Sequence, residues 1–356
     1  MLDKVELRIA GQKIENFERY QIEGELYTAD HAWSVELANP NVAVTPGELV
    51  EIRINGAREL AGIADCVDLS YAKEGKRLTI SGRDLMGYLV DACCTSFPTL
   101  KGTTLEALAA TLLANVPQPF RQVMGIAWQN NIVGNLQPPQ PWTESAIEQA
   151  DFSAPQAYGR IEPGQTIFEV LREYAHSRGL LFWCATDGTF TFGRPRAGGD
   201  AKYNIVTRLD GKGNNAITGQ RTDNIAARYS ECIIVGQQQG TDSTTAAAIN
   251  TEATETDGTF PFYKPLVRRN NNDAASPALE ARLEMEKRKA DGFSLRYTVA
   301  GHGQNGANWR VNEMVRVTDE VLGVKGSYLI YARTFYFDKE NGPQTELVLG
   351  LPGIIE

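Results

Sequence analysis

The residues of this chain best suited to chemistry are a glycine-rich string, three histidines and five cysteines. Gly301-His302-Gly303-Gln304-Asn305-Gly306 spells G-x-G-x-x-G after a strand-like run. In a dinucleotide site that spacing ends at a helix N-terminus, whose amides hold the pyrophosphate. Here the stretch from Asn308 to Val315 leads into another strand instead, so the expectation is a glycine-rich connection between strands. His31, His176 and His302 are not paired at metal-ligand spacing. Glu173 and His176 share a helix face, yet zinc needs three or four ligands, so the histidines are read as surface residues. Asp65 and Asp68 could be imagined as a glycosidase pair, but 44 acidic residues make such pairs inevitable. Cys66, Cys93, Cys94, Cys184 and Cys232 are odd in number and contain no C-x-x-C pair, which points to free, buried thiols in a reducing compartment. No nucleophile elbow or Walker loop occurs. The sequence therefore assigns no catalytic, cofactor-binding or metal-ligating residue, and the chain is expected not to be an enzyme.

Composition sets the outer limits. The 356 residues are enough for two or three domains, and 42% hydrophobic with 22% charged content is ordinary for a globular protein. A net charge of −9 argues against specific nucleic-acid binding, which requires clustered Lys and Arg. No apolar run is long enough to span a bilayer, and Met1 to Glu6 lacks the layout of a signal peptide, so a cytosolic site of synthesis and assembly is expected.

The elements that would carry any site are mostly strands. Period-two alternation in Val5–Ile9 and Val50–Ile54 marks half-buried strands. Leu85, Met86, Leu89 and Val90 then fall at helical spacing, and Thr103-Thr-Leu-Glu106 has the spacing of a capping box for a helix striped by Leu105, Leu108, Leu112 and Leu113. Residues 115–164 are rich in Pro, Gln and Asn and read as a long irregular excursion pinned by Trp128 and Trp142. Thr166-Ile-Phe-Glu169 is a second capping box, Gly179 a helix stop, and Asp187-Gly188 a two-residue hairpin signal. A strand at Ser230–Val235, a polar tract expected to be mobile at 237–259, and a charged helix from Ser276-Pro277 to about Ala290 follow. Glu280, Glu284 and Arg288 on one face predict a helix exposed over much of its circumference.

A pattern recurs over these elements. Trp33–Leu37, Pro46–Ile54, Ala61–Leu69 and Leu78–Ile80 are followed near the other end by Ser294–Val299, Asn312–Val317, Ser327–Phe335 and Glu346–Leu349. Val50 answers to Val315 and Leu78 to Leu347. Charged turns, Lys73-Glu74-Gly75 and Lys339-Glu340-Asn341-Gly342, sit at the same place in each copy. The strand at 230–235 is expected to help close the second copy.

These features together resemble a family. Val5-x-Leu7-x-x-x-Gly11, Ile80-Ser-Gly-Arg-Asp84, Thr104-Leu-x-x-Leu-Ala, the helix–hairpin Thr166–Gly179, Trp309–Val317 and Leu347–Pro352 occur in the order found in the baseplate hub, or 43-kDa tail protein, of Mu-like phages, the counterpart of the T-even phage tail hub. The resemblance implies an α+β, β-rich fold with two similar small antiparallel β-barrel domains and an α/β middle region. The expected division is 1–85, first barrel; 86–205, α+β middle domain; 206–236 plus 291–356, second and discontinuous barrel; and 237–290, insertion. It further implies a homotrimeric ring adapting a six-fold tail tube to a three-fold membrane-piercing spike. The implied partners are the spike, tube and other baseplate proteins, with no cofactor and no stable membrane insertion, in a virion tail baseplate assembled in the host cytoplasm. By the same analogy, 86–200 and 237–290 supply the three-fold contacts and the spike-facing surface. Three other readings stand beside this one: a type VI secretion spike protein, a tail-associated cell-wall hydrolase and a carbohydrate-binding receptor protein.

Overall fold

The computed structural model describes residues 3–73, 75–114, 116, 160–236, 252–270 and 277–355, together with the backbone of two short strands at 125–128 and 132–133. The first seven strands are β1 (Val5–Ile9), β2 (Gln12–Ile14), β3 (Arg19–Glu25), β4 (Ala32–Ala38), β5 (Leu49–Ile54), β6 (Ala57–Ala72) and β7 (Gly75–Asp84). Two helices, α1 (Met86–Asp91) and α2 (Leu105–Leu113), precede β8 (Gly125–Trp128) and β9 (Ile132–Val133). Helix α3 (Ile167–His176) leads to β10 (Leu181–Cys184), β11 (Thr189–Gly193), β12 (Tyr203–Thr207) and β13 (Ala216–Asp223). Next come β14 (Glu231–Gly236), β15 (Glu252–Thr256), β16 (Pro265–Asn270) and α4 (Pro277–Asp291). The chain finishes with β17 (Phe293–Ala300), β18 (Gly303–Gln304), β19 (Ala307–Asn308), β20 (Glu313–Asp319), β21 (Val324–Asp338) and β22 (Gly342–Gly350).

The molecule is α+β and rich in strand. Thirteen strands form one sheet, in which β3-β4-β7-β6-β5-β1-β2 is one module and β13-β17-β22-β21-β20-β12 another. The modules meet where β3 pairs antiparallel with the second half of β21, Glu25 opposite Ala332 and Arg19 opposite Asp338. Neither module closes into the expected barrel through the described pairings. Strand β3, a terminal strand of the first module, is spent on the second.

The two modules repeat over five strands, β3-β4-β7-β6-β5 and β13-β17-β22-β21-β20, and differ beyond them, where β1 pairs antiparallel with β5 and β12 parallel with β20. Each has a long strand that bulges once: the register of β6 on β7 shifts at Asp65, and that of β21 on β22 at Tyr331. With the bulges aligned, Gly62 matches Tyr328, so their partners Val50 and Val315 coincide, as the sequence predicts. Val67 matches Arg333, so Ile80 coincides with Leu347. The sequence pairing of Leu78 with Leu347 is therefore two residues off. A two-residue slip keeps every side chain on its own face, which is why alternation alone does not reveal it.

One apolar core runs through both modules. Leu7, Ile22, Trp33 and Ile80 from the first join Tyr203, Tyr297, Phe335 and Leu347 from the second, all buried. A second core holds the helices. Its α3 has both halves of the Thr166 capping box, Thr166 N–H donating to Glu169 at 2.8 Å and Glu169 N–H to Thr166 at 3.2 Å. At α2 the cap is Thr104, which accepts from Ala107 N–H at 3.2 Å, so the expected Thr103–Glu106 box does not form. Gly179 ends α3 at φ +67°. The β10–β11 hairpin turns through Ala185–Gly188, with Gly188 at φ +90° after a Gly188 N–H to Ala185 C=O bond of 2.9 Å. That is a turn followed by a left-handed glycine rather than a two-residue loop.

The strand expected to close the second copy lies elsewhere. β14 is the centre of a separate three-stranded sheet with β15 and β16, while β12 and β13 complete the second module. Cys232 and Ile234 face Ala281 and Met285 of α4, giving that sheet its own small core. Half-buried alternation looks the same whichever sheet receives it. Part of the tract expected to be mobile is strand β15, whereas 237–251 lies outside the described residues. Helix α4 is also less exposed than predicted, because Glu284 is buried and held by Arg268 and by Arg288 at 2.8 Å. Ser276, the expected cap of α4, Trp142 and most of the 115–164 excursion lie outside the described residues.

Glycine matters most where β6 and β7 cross. A Cβ on Gly82 would lie 1.9 Å from the Ile63 carbonyl oxygen, and one on Gly62 would lie 2.2 Å from that of Arg83. The strands approach this closely beside the Asp65 bulge. Gly82→Ala is expected to cost about 2 kcal/mol or more, since backbone atoms must move apart, and urea unfolding of the variant checks this.

Candidate functional site

The functional candidate that the sheet builds is the junction of the two modules with the helical region. β3 and β21 bring the two halves together there, and a cavity of about 250 Å³ opens beside them, lined in part by His31, Glu59, Asp84, Trp183, Arg310 and Arg333. Arg333 of β21 is 1% exposed, with its Nη2 2.9 Å from a carboxylate oxygen of Glu59 on β6 and 3.3 Å from the Glu59 carbonyl. Asn308 donates to the same Glu59 side chain at 2.7 Å and to the Ile54 carbonyl at 2.8 Å. The guanidinium also lies 3.9 Å from the centre of the Phe335 ring. A buried ion pair thus ties the long strand of one module to the long strand of the other.

His302 lies at the same junction. It is wholly buried, which overturns the surface reading for this histidine. Its Nε2 is 2.7 Å from the Tyr20 hydroxyl of β3, and its Nδ1 is 3.1 Å from the Thr345 hydroxyl of β22. Thr345 donates its own proton to the Gly301 carbonyl at 2.6 Å. Thr345 therefore accepts from Nδ1–H, and Nε2 accepts from Tyr20, which assigns a neutral ring by hydrogen-bond logic. Burial, opposed by Asp3, pushes the pKa of His302 down to about 4. The glycine-rich string around it is a connection: Asn305 and Gly306, at φ +55° and +77°, turn β18 into β19. No helix starts there, so the pyrophosphate-binding arrangement is missing.

His31 behaves in the opposite way. Its Nδ1 is 2.8 Å from Asp84 and its Nε2 2.5 Å from the Glu25 carbonyl. Both partners accept, so the ring carries two protons. Burial disfavours that charge, but the Asp84 carboxylate and the Glu25 carbonyl more than offset it, and the pKa is raised. Cys184 shares this cavity, yet burial pushes its thiol well above the ordinary range. A protonated thiol in a cavity whose histidine has both nitrogens engaged is not an activated nucleophile. No group of three His, Cys, Asp or Glu residues that could hold a metal occurs among the described residues.

Two residues of the Ile80–Asp84 string explain their place in the pattern. Arg83 binds Asp65 at 2.8 Å, Asp91 at 2.6 Å and Asp30 at 3.3 Å. Asp84 accepts from Met86 N–H at 3.0 Å at the start of α1 while holding His31. Asp65 is thereby an anchor for Arg83, and Asp68 is an exposed residue further along β6, so the two form no acid pair. His176 is half-buried on α3, with its pKa lowered by burial and by Arg172. All five cysteines are free; Cys66 and Cys93 are exposed, contrary to the expectation of buried thiols throughout. Sequence reasoning missed Glu59, Arg333 and Asn308, whose roles depend on partners more than two hundred residues away.

Two titrations follow. His302 has a lower pKa folded than the usual 6.5, so the unfolded chain takes up the proton first. Its contribution is full above about pH 6.5 and is lost as pH falls toward 4, amounting to about 3 kcal/mol. The stability gap between wild type and His302→Gln should narrow over that range in urea titrations. His31, with a raised folded pKa, contributes fully below about pH 6.5 and loses its contribution as pH rises through the folded value. At the ion pair, Arg333→Met strands a buried carboxylate and should cost about 3–5 kcal/mol; adding Glu59→Gln should recover part of it, as thermal unfolding will show.

Comparison with known proteins agrees with this architecture. Residues 4–84 match the family model described as Mu phage baseplate assembly protein GpP-like, N-terminal. Residues 287–354 match the model described as tail protein, C-terminal domain. No curated protein sequence matches the chain. The fold is shared with a tail protein from Neisseria meningitidis, at 23% identity and a TM-score of 0.78 over 98% of this chain and 96% of that one. It is shared equally with the 43 kDa tail protein of prophage MuSo2 from Shewanella oneidensis, at 21% identity and a TM-score of 0.78 over 98% of both chains. A component of the Escherichia coli type VI secretion system, described as similar to T4 tail proteins gp27 and gp5, is more distant, at 11% identity and a TM-score of 0.57 over 97% of this chain and 76% of that one. Both end segments thus match models of phage baseplate and tail proteins, and the fold of Mu-like prophage tail proteins is shared along nearly the whole chain.

Proposed function

We propose that the chain is the structural hub of a contractile tail baseplate: three copies form a ring that joins a six-fold tail tube to a three-fold spike. The observation that carries this reading is the internal duplication. Two modules of matching strand order and matching bulges, joined by strand pairing, give three chains six quasi-equivalent units around one axis. One face of such a ring can meet six tube subunits while the whole retains three-fold symmetry for the spike. The helical region 86–200 and the insertion 237–290 would supply the three-fold contacts and the spike-facing surface. The work is geometric and non-catalytic, in a baseplate assembled in the bacterial cytoplasm before it becomes part of the virion.

Likeness to a type VI secretion component, and to the Francisella PdpA–VgrG complex at a TM-score of 0.54 over 98% of this chain, supports a spike as the neighbour on one face. Light scattering coupled to size exclusion, with negative-stain images, tests the ring. A trimeric annulus with six lobes is expected, alone or with the spike added. A monomer under both conditions would reject the hub reading, and release of dye from labelled cell walls would favour a hydrolase in its place.

A further inference from the structure

We propose that copies of this chain join head to tail by main-chain pairing of β13 of one copy with the second half of β6 of the next, in the register that β3 and β21 use inside each chain. The proposal rests on the ring reading above and names the contact that closes it.

The argument starts from the matched bulges. Aligning Asp65 with Tyr331 makes Cys66–Ala72 the counterpart of Ala332–Asp338. In the second module the outer edge of that segment is covered by β3. In the first, β5 pairs only as far as Ile63, and no strand among the described residues covers the outer edge of Cys66–Ala72. The counterpart of β3 is β13. Tyr20 pairs with Val35 on β4 as Gly219 pairs with Tyr297 on β17, and Val35 and Tyr297 lie opposite the matched residues Ile80 and Leu347. β13 ends the sheet, and no strand among the described residues pairs with its outer edge either. Each chain therefore contains one filled junction and the two halves of a second, vacant one. The halves differ, so pairing them head to tail is a heterologous contact, which closes into a ring when its rotation fits a closed symmetry such as the three-fold one proposed above.

The side chains fit the transferred register. Phe335 opposite Ile22 becomes Leu69 opposite Arg221, and Phe337 opposite Tyr20 becomes Tyr71 opposite Gly219. Phe335 is fully buried, whereas Leu69 and Tyr71 are 62% and 88% exposed in the single chain. Large apolar side chains on a bare strand edge are a liability unless a partner covers them. Phe337 stacks on Tyr20 with ring centres 5.3 Å apart. At the vacant junction the bulky member of the neighbouring pair moves one strand over: Gly219 replaces Tyr20, and Tyr297 replaces Val35 in the same cross-strand row. A Cβ on Gly219 would meet the Tyr297 ring at 2.8 Å, so that ring already overlies the glycine, beside the position Tyr71 would take. The Arg221 head is held by Asp223 at 2.7 Å, leaving its methylene stem to cover Leu69.

Cysteine cross-linking tests the register. On a background with the exposed Cys66 and Cys93 changed to Ser, Leu69→Cys and Arg221→Cys are made in separate chains and mixed under mild oxidation. Opposed residues of an antiparallel pair lie within disulfide reach. A disulfide-linked dimer should form in the mixture only, and the same mixture with Gln220→Cys in place of Arg221→Cys should give none. In parallel, Leu69→Lys/Tyr71→Lys alters two exposed side chains; its melting temperature should match wild type while its assembly weakens by about tenfold or more. Wild-type assembly without the 69–221 cross-link, together with normal assembly of the lysine variant, would overturn this pairing and leave the ring intact. A chain that neither cross-links nor assembles at any concentration would overturn the pairing and count against the ring as well.

Discussion

The seven residue pairs between β3 and β21 are the constraint on which everything else depends. They convert two separate meanders into one sheet, and they force the side chains of both to share a single core. Once the sheet is continuous, Arg333 of β21 is carried inward and must find a counter-charge. Glu59 on the opposing long strand supplies it, and Asn308 satisfies the same carboxylate. His302 is enclosed by the same closure, with a hydroxyl from each module on its two nitrogens. The polar groups at the junction thus follow from the backbone pairing, and their cost fixes how the modules can meet.

This explains why an assembly of ionisable groups that looks chemical is structural. A cysteine, a histidine and an aspartate line one cavity, but each is occupied: the thiol is protonated, the imidazole holds two acceptors, and the carboxylate starts a helix. Catalytic groups require a vacancy for substrate protons.

Much of the architecture was legible in the residues. The alternation of Val50–Ile54 and Glu313–Val317 revealed twin strands, and Thr166, Glu169 and Gly179 marked both ends of α3, because caps and alternation are local signals. The α2 cap was displaced by one residue because Thr103 and Thr104 both satisfy the motif's first position, and only the backbone decides between them. The destination of Glu231–Gly236 was not legible, since Cys232 and Ile234 would suit either sheet. Nor were Arg333, Glu59 and the burial of His302, which depend on residues brought together from opposite ends of the chain. The string Ile80–Asp84 was noticed as a pattern, while its physical content, a glycine under a carbonyl and an arginine gathering three aspartates, needed coordinates.

The junction strand β3 leaves the ribosome well before β21, because the two partners lie far apart along the chain. During synthesis the early meander must wait, with the outer edge of its terminal strand unpaired, until β21 has emerged. Pairings this distant in sequence slow folding and leave an intermediate open to misassociation. A chain stalled before β21 would expose the very edge that the folded one hides, so nascent subunits of this design depend on synthesis of β21, or on chaperones, before they meet one another.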